Sequence, residues 1–167
     1  DCFAEALITY FQYKADSSPE DATAHSDTST TAARAMASDT PEPDFKALDF
    51  NELKSGQALP ELTIPITHKL IIGGALASQD FIDVHHNAPA ARAAAMPDIF
   101  MNILTTCGLC GRYLSDWAGP TSRLKNLSFR LLAPNVPGDT MVMQGQVSAL
   151  SEDQQVSVDF VGKNSRG

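Results

Sequence analysis

The fold of this chain is decided by residues 98–120, which have the sequence DIFMNILTTCGLCGRYLSDWAGP. Apolar side chains recur there at the spacing of an α-helix, at Ile99, Ile103, Cys107, Cys110, Leu114 and Trp117. Additional apolar residues widen this stripe around the helix, at Phe100, Leu104 and Leu109. Asp98 can cap the N-terminus of such a helix, and Gly119-Pro120 can end it near Asp116. We therefore predict a long central helix that is buried on most sides.

Three strands are predicted after this helix. Apolar and polar residues alternate over 127–131, 141–147 and 156–160, which is the pattern of half-buried strands. Turn-forming residues separate these segments at 134–139 and 151–154. A buried helix followed by an antiparallel run of amphipathic strands predicts an α+β fold in which the sheet wraps around the helix.

Shorter elements are predicted between residues 59 and 95. The aliphatic segments 59–67 and 69–75 are typical of extended chain, and Pro60 and Pro65 favour an edge strand for the first of them. A short helix is predicted over Ala88–Ala95, because a proline at its second position does no harm in the first turn.

The N-terminal third of the chain has a different composition. Residues 1–16 include the run ALITYFQYK, which is typical of a strand. We interpret it as an edge strand of this domain or as the last strand of an upstream domain. Residues 17–44 are rich in Ser, Thr, Ala, Asp and Pro and are predicted to be a flexible linker without a site. Residues 45–167 are assigned to one domain. A sheet of this kind would normally have a further strand after Gly167, so we expect the C-terminus to be truncated.

Charge and cysteine content narrow the class of protein. Residues 1–55 carry 11 acidic and 4 basic side chains, whereas residues 56–167 carry 9 and 8. Neither part has the basic excess that binding to nucleic acid requires, and no apolar run is long enough to span a membrane. The 3 cysteines do not form a disulfide framework. We expect a reducing, cytoplasmic location.

The residues best suited to chemistry lie in 78–91, with the sequence SQDFIDVHHNAPAA. Asp80 precedes His85 by five positions. An imidazole exchanges protons near neutral pH, and a neighbouring carboxylate can orient it and share the water that it deprotonates. This spacing predicts an acid/base pair, although an ordinary surface turn with two polar residues would show the same pattern.

Two other groups of residues were considered for metal or redox chemistry. Asp83 and His86 could ligate a metal, but a site needs three or four ligands and the sequence offers no second cluster, so we predict no metal. Cys107 and Cys110 form a C-x-x-C pattern inside the predicted helix rather than at its N-terminus, where the helix dipole would activate a thiol. We therefore predict that these cysteines pack in the core.

The run Ser78-Gln-Asp-Phe-Ile-Asp-Val-His85 followed by Ala91 resembles the motif S-G-D-x-N-P-[LIV]-H-x5-A of the MaoC-like (R)-specific enoyl-CoA hydratases. Gln79 replaces the glycine of the motif, and Ile82-Asp83 replace its Asn-Pro. With these departures, the sequence resembles a narrower branch of the family, the small catalytic subunit of actinobacterial steroid side-chain enoyl-CoA hydratases. The resemblance extends from Leu59 to Gly167.

The resemblance implies a hot-dog fold, in which an antiparallel sheet wraps a long central helix. It also implies an acyl-CoA substrate, no cofactor, and a homodimer or a heteromer with another hot-dog domain. In the family, the residues matching Asp80 and His85 hold a water that adds to C3 of a 2-enoyl-CoA thioester, and a proton is delivered to C2. The oxyanion donor of the family matches the backbone N–H of Ile103, and the typical His-Gly of the family at this point corresponds to Asn102-Ile103. We expect Asn102, Asp83 and His86 to be supporting residues.

Two alternative functions were weighed. A hot-dog thioesterase usually carries a carboxylate on its central helix, and residues 99–113 contain no Asp or Glu. A non-catalytic hot-dog subunit of a heteromeric hydratase tends to lose the acid/base pair, which this chain keeps. The hydratase is therefore the preferred prediction, with a steroid side-chain or another bulky acyl group as the substrate.

Overall fold

The computed structural model describes the backbone of residues 4–13 and the backbone and side chains of residues 48–166. Five strands form one antiparallel sheet: β1 (Ala4–Tyr13), β2 (Leu62–Pro65), β3 (Ser122–Leu131), β4 (Thr140–Leu150) and β5 (Gln155–Asn164). Their order across the sheet is β2-β4-β5-β1-β3. The helices of the described residues are α1 (His68–Ala77), α2 (Ala88–Ala93) and α3 (Ile103–Ala118). The three strands predicted after the central helix and the α+β class are confirmed.

The helix α3 packs on the sheet through one face. Its buried residues are Thr106, Cys110, Tyr113, Leu114 and Ala118. All of these except Thr106 join sheet residues such as Met143, Val147 and Val158 in a single core cluster. The prediction that this helix is buried on most sides is wrong, because Ile103 is 55% exposed and Leu104 is 51% exposed at its first turn.

The predicted start of α3 is also wrong by four residues. Asp98 accepts a hydrogen bond from the backbone N–H of Ile99 at 2.7 Å, which lowers the pKa of Asp98, but no helix begins there. Residues 99–101 are not helical, since the N–H of Met101 donates to the carbonyl of Asn135 at 2.9 Å. The helix begins after Asn102, whose side chain accepts from the N–H of Thr105 as an N-cap.

The segment predicted to be extended at 69–75 is part of α1 instead. Thr67 caps this helix by accepting from the N–H of Leu70 at 3.1 Å. Ile71 and Ala75, four positions apart, are both buried on the core side. The β-branched residues and glycines of the segment favour other conformations, and burial at helical spacing overrides that preference. The prediction of an edge strand with two prolines nearby is confirmed by the position of β2 at one edge of the sheet.

The strand predicted within residues 1–16 is present as β1. It lies between β5 and β3 and pairs antiparallel with both, so it is an interior strand rather than an edge strand of this sheet. Its assignment to an upstream domain and the expected further strand after Gly167 stay predictions. The predicted linker at 17–44 lies outside the described residues.

The fold brings the end of α1 against the start of α3. Gly74 lies so close to Thr105 that a Cβ on Gly74 would overlap the Thr105 side chain. This close approach places the residues that follow α1 beside the residues that precede α3. No helix in the described part of the chain is long and apolar enough to cross a membrane.

Candidate active site

Asp80 is positioned by the way in which α1 ends. Gln79 has a left-handed backbone, with φ of 56°, and its N–H donates to the carbonyl of Leu76 at 3.1 Å. The N–H of Asp80 then donates to the carbonyl of Ala75 at 2.9 Å. These two hydrogen bonds define a Schellman motif, which satisfies carbonyl groups at the C-terminus of a helix. Asp80 therefore leaves α1 in a direction fixed by backbone hydrogen bonds.

His85 is held at the end of a single 3₁₀ turn, Asp83–His85. Its Nδ1 lies 2.7 Å from the carbonyl oxygen of Phe100, and its ring packs edge-on against the Phe100 ring at a centroid distance of 4.9 Å. A carbonyl can only accept, so Nδ1 carries the proton in this hydrogen bond. Nε2 of the neutral ring is consequently an acceptor.

The structure brings Asp80 and His85 together. The Oδ2 atom of Asp80 lies 3.4 Å from Nε2 of His85. An ionised carboxylate and an unprotonated Nε2 both accept hydrogen bonds, so a water that donates one hydrogen to each is the group that fits this pair. The side chains are 16% and 7% exposed, respectively, so solvent reaches the pair from a limited direction.

Asn102 joins the pair from the start of α3. Its Nδ2 donates to Oδ2 of Asp80 at 2.9 Å and to Oγ of Ser78 at 2.8 Å. Ser78 in turn donates to the carbonyl of Gly74 at 2.8 Å. The sequence predicted Asn102 only as a supporting residue by resemblance, and neither Ser78 nor the Phe100 carbonyl was predicted to take part in the site.

The first turn of α3 also presents backbone donors. The Asn102 side chain takes the N–H of Thr105, and its carbonyl takes the N–H of Thr106. No acceptor for the N–H groups of Ile103 and Leu104 occurs among the residues that the structure describes. A helix N-terminus carries partial positive charge, so these two groups can stabilise an anion. Ile103 has the ordinary helical backbone conformation, so its N–H does not need a glycine.

The other residues predicted near the site are arranged differently. His86 and Asp83 pair with each other at 3.7 Å, with side chains 41% and 71% exposed, and thus face solvent. Within residues 4–13 and 48–166, no group of three His, Cys, Asp or Glu side chains could hold a metal ion. Cys107 and Cys110 are free thiols, and burial raises the pKa of Cys110 to about 12, as expected for a packing residue.

Large exposed apolar side chains directly follow two residues of the site in the sequence. Phe81 and Ile82 directly follow Asp80, and Ile103 and Leu104 directly follow Asn102; all four are more than half exposed. The Asp80–Asn102 hydrogen bond brings the two segments into contact. We call these four side chains the apolar rim.

Comparison with known proteins places this site in a family. No protein-family model matches the chain. The chain is 43% identical over 112 residues to the 3-oxo-4,17-pregnadiene-20-carboxyl-CoA hydratase beta subunit of Mycobacterium tuberculosis, an alignment that covers 67% of this chain and 86% of that protein.

Solved structures agree with this relationship. A chain of the ChsH1–ChsH2 complex from Mycobacterium tuberculosis has 40% identity and a TM-score of 0.65, covering 68% of this chain and 89% of that chain. The (R)-hydratase from A. caviae involved in PHA biosynthesis has 20% identity and a TM-score of 0.56, covering 66% of this chain and 96% of that chain, and it shows the fold alone.

The chain belongs to the MaoC-like enoyl-CoA hydratase family, and its fold is the hot-dog fold. The family and the fold implied by the sequence motif are therefore confirmed.

Proposed function

We propose that this chain hydrates the 2,3 double bond of a 2-enoyl-CoA thioester, with Asp80 and His85 as the catalytic residues. The observation that carries the proposal is the separation of 3.4 Å between Oδ2 of Asp80 and Nε2 of His85, two acceptors close enough for one water to donate a hydrogen to each. Membership of the hydratase family supports the same reaction.

The contacts of the pair support a division of labour during the reaction. The water oxygen forms a bond to C3 of the substrate while Nε2 of His85 takes one of its protons. The Phe100 carbonyl, which accepts from Nδ1 at 2.7 Å, stabilises the resulting imidazolium. The electrons of the double bond move to the thioester oxygen, and a proton is then returned to C2 on the same face. Asp80 orients the water throughout.

The start of α3 supplies the proposed oxyanion site. Negative charge develops on the thioester oxygen when water adds to C3, and donors that are fixed in place stabilise it at little reorganisation cost. The N–H of Ile103 is the proposed donor, and that of Leu104 is the next along the helix. Their position beside the Asp80–Asn102 hydrogen bond brings the donors and the water to one region of the molecule.

A bulky apolar acyl group is the proposed substrate class, with a steroid side-chain acyl-CoA as the leading candidate. The relative that is 43% identical is named as a hydratase of 3-oxo-4,17-pregnadiene-20-carboxyl-CoA. The apolar rim supports this choice, because its large apolar side chains are exposed and directly follow Asp80 and Asn102 in the sequence.

We also propose that the chain works with a second hot-dog domain, as a heteromer or a homodimer. The relative with 40% identity was crystallised as part of the ChsH1–ChsH2 complex. In this chain β3 forms one edge of the sheet over ten residues, and an edge strand can be extended by another chain. A cytoplasmic location is part of the proposal, in keeping with the free thiols of Cys107 and Cys110.

The proposal is tested by incubating the protein, alone and with candidate hot-dog partners, with short-chain and steroid-linked enoyl-CoA thioesters. We expect loss of the conjugated enoyl thioester and formation of a 3-hydroxyacyl-CoA, with the steroid-linked substrate preferred. Free CoA measured with a thiol reagent separates hydration from hydrolysis. Release of CoA without hydroxyacyl product would identify a thioesterase, and failure to convert any substrate in every combination would contradict the proposal.

A further inference from the structure

Asn102 has an amide orientation that its neighbours determine. Its Oδ1 must face the N–H of Thr105, which lies at 2.9 Å and can only donate. Nδ2 is therefore the atom that faces Asp80 and Ser78. Asn102 is only 2% exposed, so the side chain is locked in this arrangement by burial as well as by hydrogen bonds.

Both hydrogens of the Asn102 amide are used. The Ser78 hydroxyl donates its hydrogen to the Gly74 carbonyl at 2.8 Å, so its oxygen accepts one hydrogen from Nδ2 of Asn102. The second hydrogen points to Oδ2 of Asp80 at 2.9 Å. This hydrogen bond fixes the direction of the Asp80 carboxylate.

Few other groups face the Asp80 carboxylate. His85 faces it from the Asp83–His85 turn at 3.4 Å. The last turn of α1 contains no base, and the first turn of α3 contains no acid. Asp83 on the same turn is paired with His86 and exposed. Within residues 48–166, Asn102 is the side chain that hydrogen-bonds directly to the Asp80 carboxylate.

We propose that Asn102 is a positioning residue for the hydration reaction: one side chain holds the Asp80 carboxylate aimed at His85, and also starts the helix that presents the oxyanion donors. The inference rests on the proposed function and adds a residue that acts through Asp80 and α3 rather than on the substrate. Capping by Asn102 takes the N–H groups of Thr105 and Thr106 and leaves those of Ile103 and Leu104 to the thioester.

The decisive variant is Asn102→Asp. Aspartate is as good an N-cap as asparagine, so the start of α3 is preserved, while the donor to Asp80 is replaced by a carboxyl group. Two carboxylates at such a distance cannot both ionise freely. At low pH the introduced carboxyl keeps its proton and can donate to Asp80 as the amide did. Its folded-state pKa is raised above the unfolded value, so both activity and the associated stability are lost as pH rises.

The ratio of the kcat/KM of N102D to that of wild type should therefore fall as pH rises, by about 10-fold or more, because the ratio cancels the titration of groups that both proteins share and leaves that of the introduced carboxyl. N102S keeps a cap but has no donor that reaches Asp80, and we expect a fall of about 10-fold or more in kcat with little change in KM.

Thr67→Ala is the matched control, since it removes the N-cap of α1 at the end remote from the site. It should lower Tm and keep the wild-type slope of the pH profile. A wild-type slope in N102D, or the N102D slope in T67A, would overturn the inference. If the wild-type protein hydrates no enoyl-CoA, the proposed function fails, and the Tm of N102D still decides: a Tm that falls relative to wild type as pH rises supports the placement of Asn102 against Asp80, and a constant difference overturns it.

Discussion

At the scale of single residues, Asp80 and His85 are five positions apart in the sequence and 3.4 Å apart in space. Each is oriented by the backbone, Asp80 through the end of α1 and His85 through the Phe100 carbonyl. Catalytic groups held by such contacts pay little to reach the productive geometry. The geometry of the proposed catalytic pair is therefore already fixed in the free chain.

Asp80→Asn and His85→Ala are each expected to lower kcat/KM by about 100-fold or more, because the first change removes the carboxylate that orients the water and the second removes the base. The circular dichroism spectrum should stay close to wild type, which shows that folding is intact. Steady-state kinetics on a converted enoyl-CoA measure the effect. Near-full activity of either variant would rule out that residue as a catalytic group.

Gln79 occupies a left-handed conformation, with φ of 56°, where the family motif has glycine. A side chain in this region costs about 1–2 kcal/mol, partly offset by the flexibility that glycine adds to the unfolded chain. Gln79→Gly should therefore raise the free energy of unfolding by about 0.5–1 kcal/mol in urea titrations. Ala95→Gly is the matched control, because Ala95 also has a positive φ of 62° but follows α2. A loss of stability in Q79G would contradict the assigned backbone conformation.

The residue-scale parts of the site were predictable to different degrees. The proximity of Asp80 and His85 followed from their spacing within one short segment. The hydrogen bond from Asn102 to Asp80 joins positions 22 residues apart, and it depends on how two helices cross. The role of the Phe100 carbonyl was not predictable either, because every residue has a backbone carbonyl and the sequence does not show which one accepts a hydrogen bond.

At the scale of elements, the contact between α1 and α3 decides where the site residues meet. Gly74 and Thr105 are in close contact, and Ser78 and Asp80 follow Gly74 by four and six residues. A Cβ at position 74 requires the Thr105 side chain or the helices themselves to shift. The geometry of the proposed pair therefore depends on a residue that bears no functional group.

Gly74→Ala should reduce stability by about 1–3 kcal/mol through overpacking and lower kcat/KM by about 10-fold or more, as the Asn102–Asp80 hydrogen bond lengthens. Gly73→Ala is a closely matched control, because a Cβ there meets nothing within 4 Å. In a helix interior that change should stabilise the protein by about 0.5–1 kcal/mol. Chemical denaturation and steady-state kinetics distinguish the two variants. Equal behaviour of G74A and G73A would show that the helices are not in tight contact.

The element boundaries show where sequence patterns lose their power. The strands after α3 were predictable because one face of each strand is more buried than the other, which leaves alternating apolar and polar residues in the sequence. The start of α3 was placed at Ile99 because Ile99 continues the helical period, yet the N–H of Met101 is committed to Asn135, more than thirty positions away. An Asn three residues before Thr105 is a capping signal that could have identified the true start.

At the scale of the whole molecule, one core cluster joins α3 to the sheet. Leu114 lies in it with 0% exposure. Leu114→Ala should lower the free energy of unfolding by about 2–5 kcal/mol, from lost burial and the cavity left behind. Leu132→Ala, at a position 53% exposed, should change it by less than about 0.5 kcal/mol. Urea unfolding followed by fluorescence checks both, and a small effect of L114A would mean that α3 is not part of the main core.

The apolar rim affects how the chain behaves when it is made without its proposed partner. The four side chains of the apolar rim are more than half exposed in the isolated chain, and exposed apolar side chains promote self-association. We therefore expect the chain to aggregate when neither a substrate nor the proposed partner is present, so balanced synthesis of the two chains would protect the yield. In the laboratory, the same feature makes co-expression the sound route to a monodisperse enzyme.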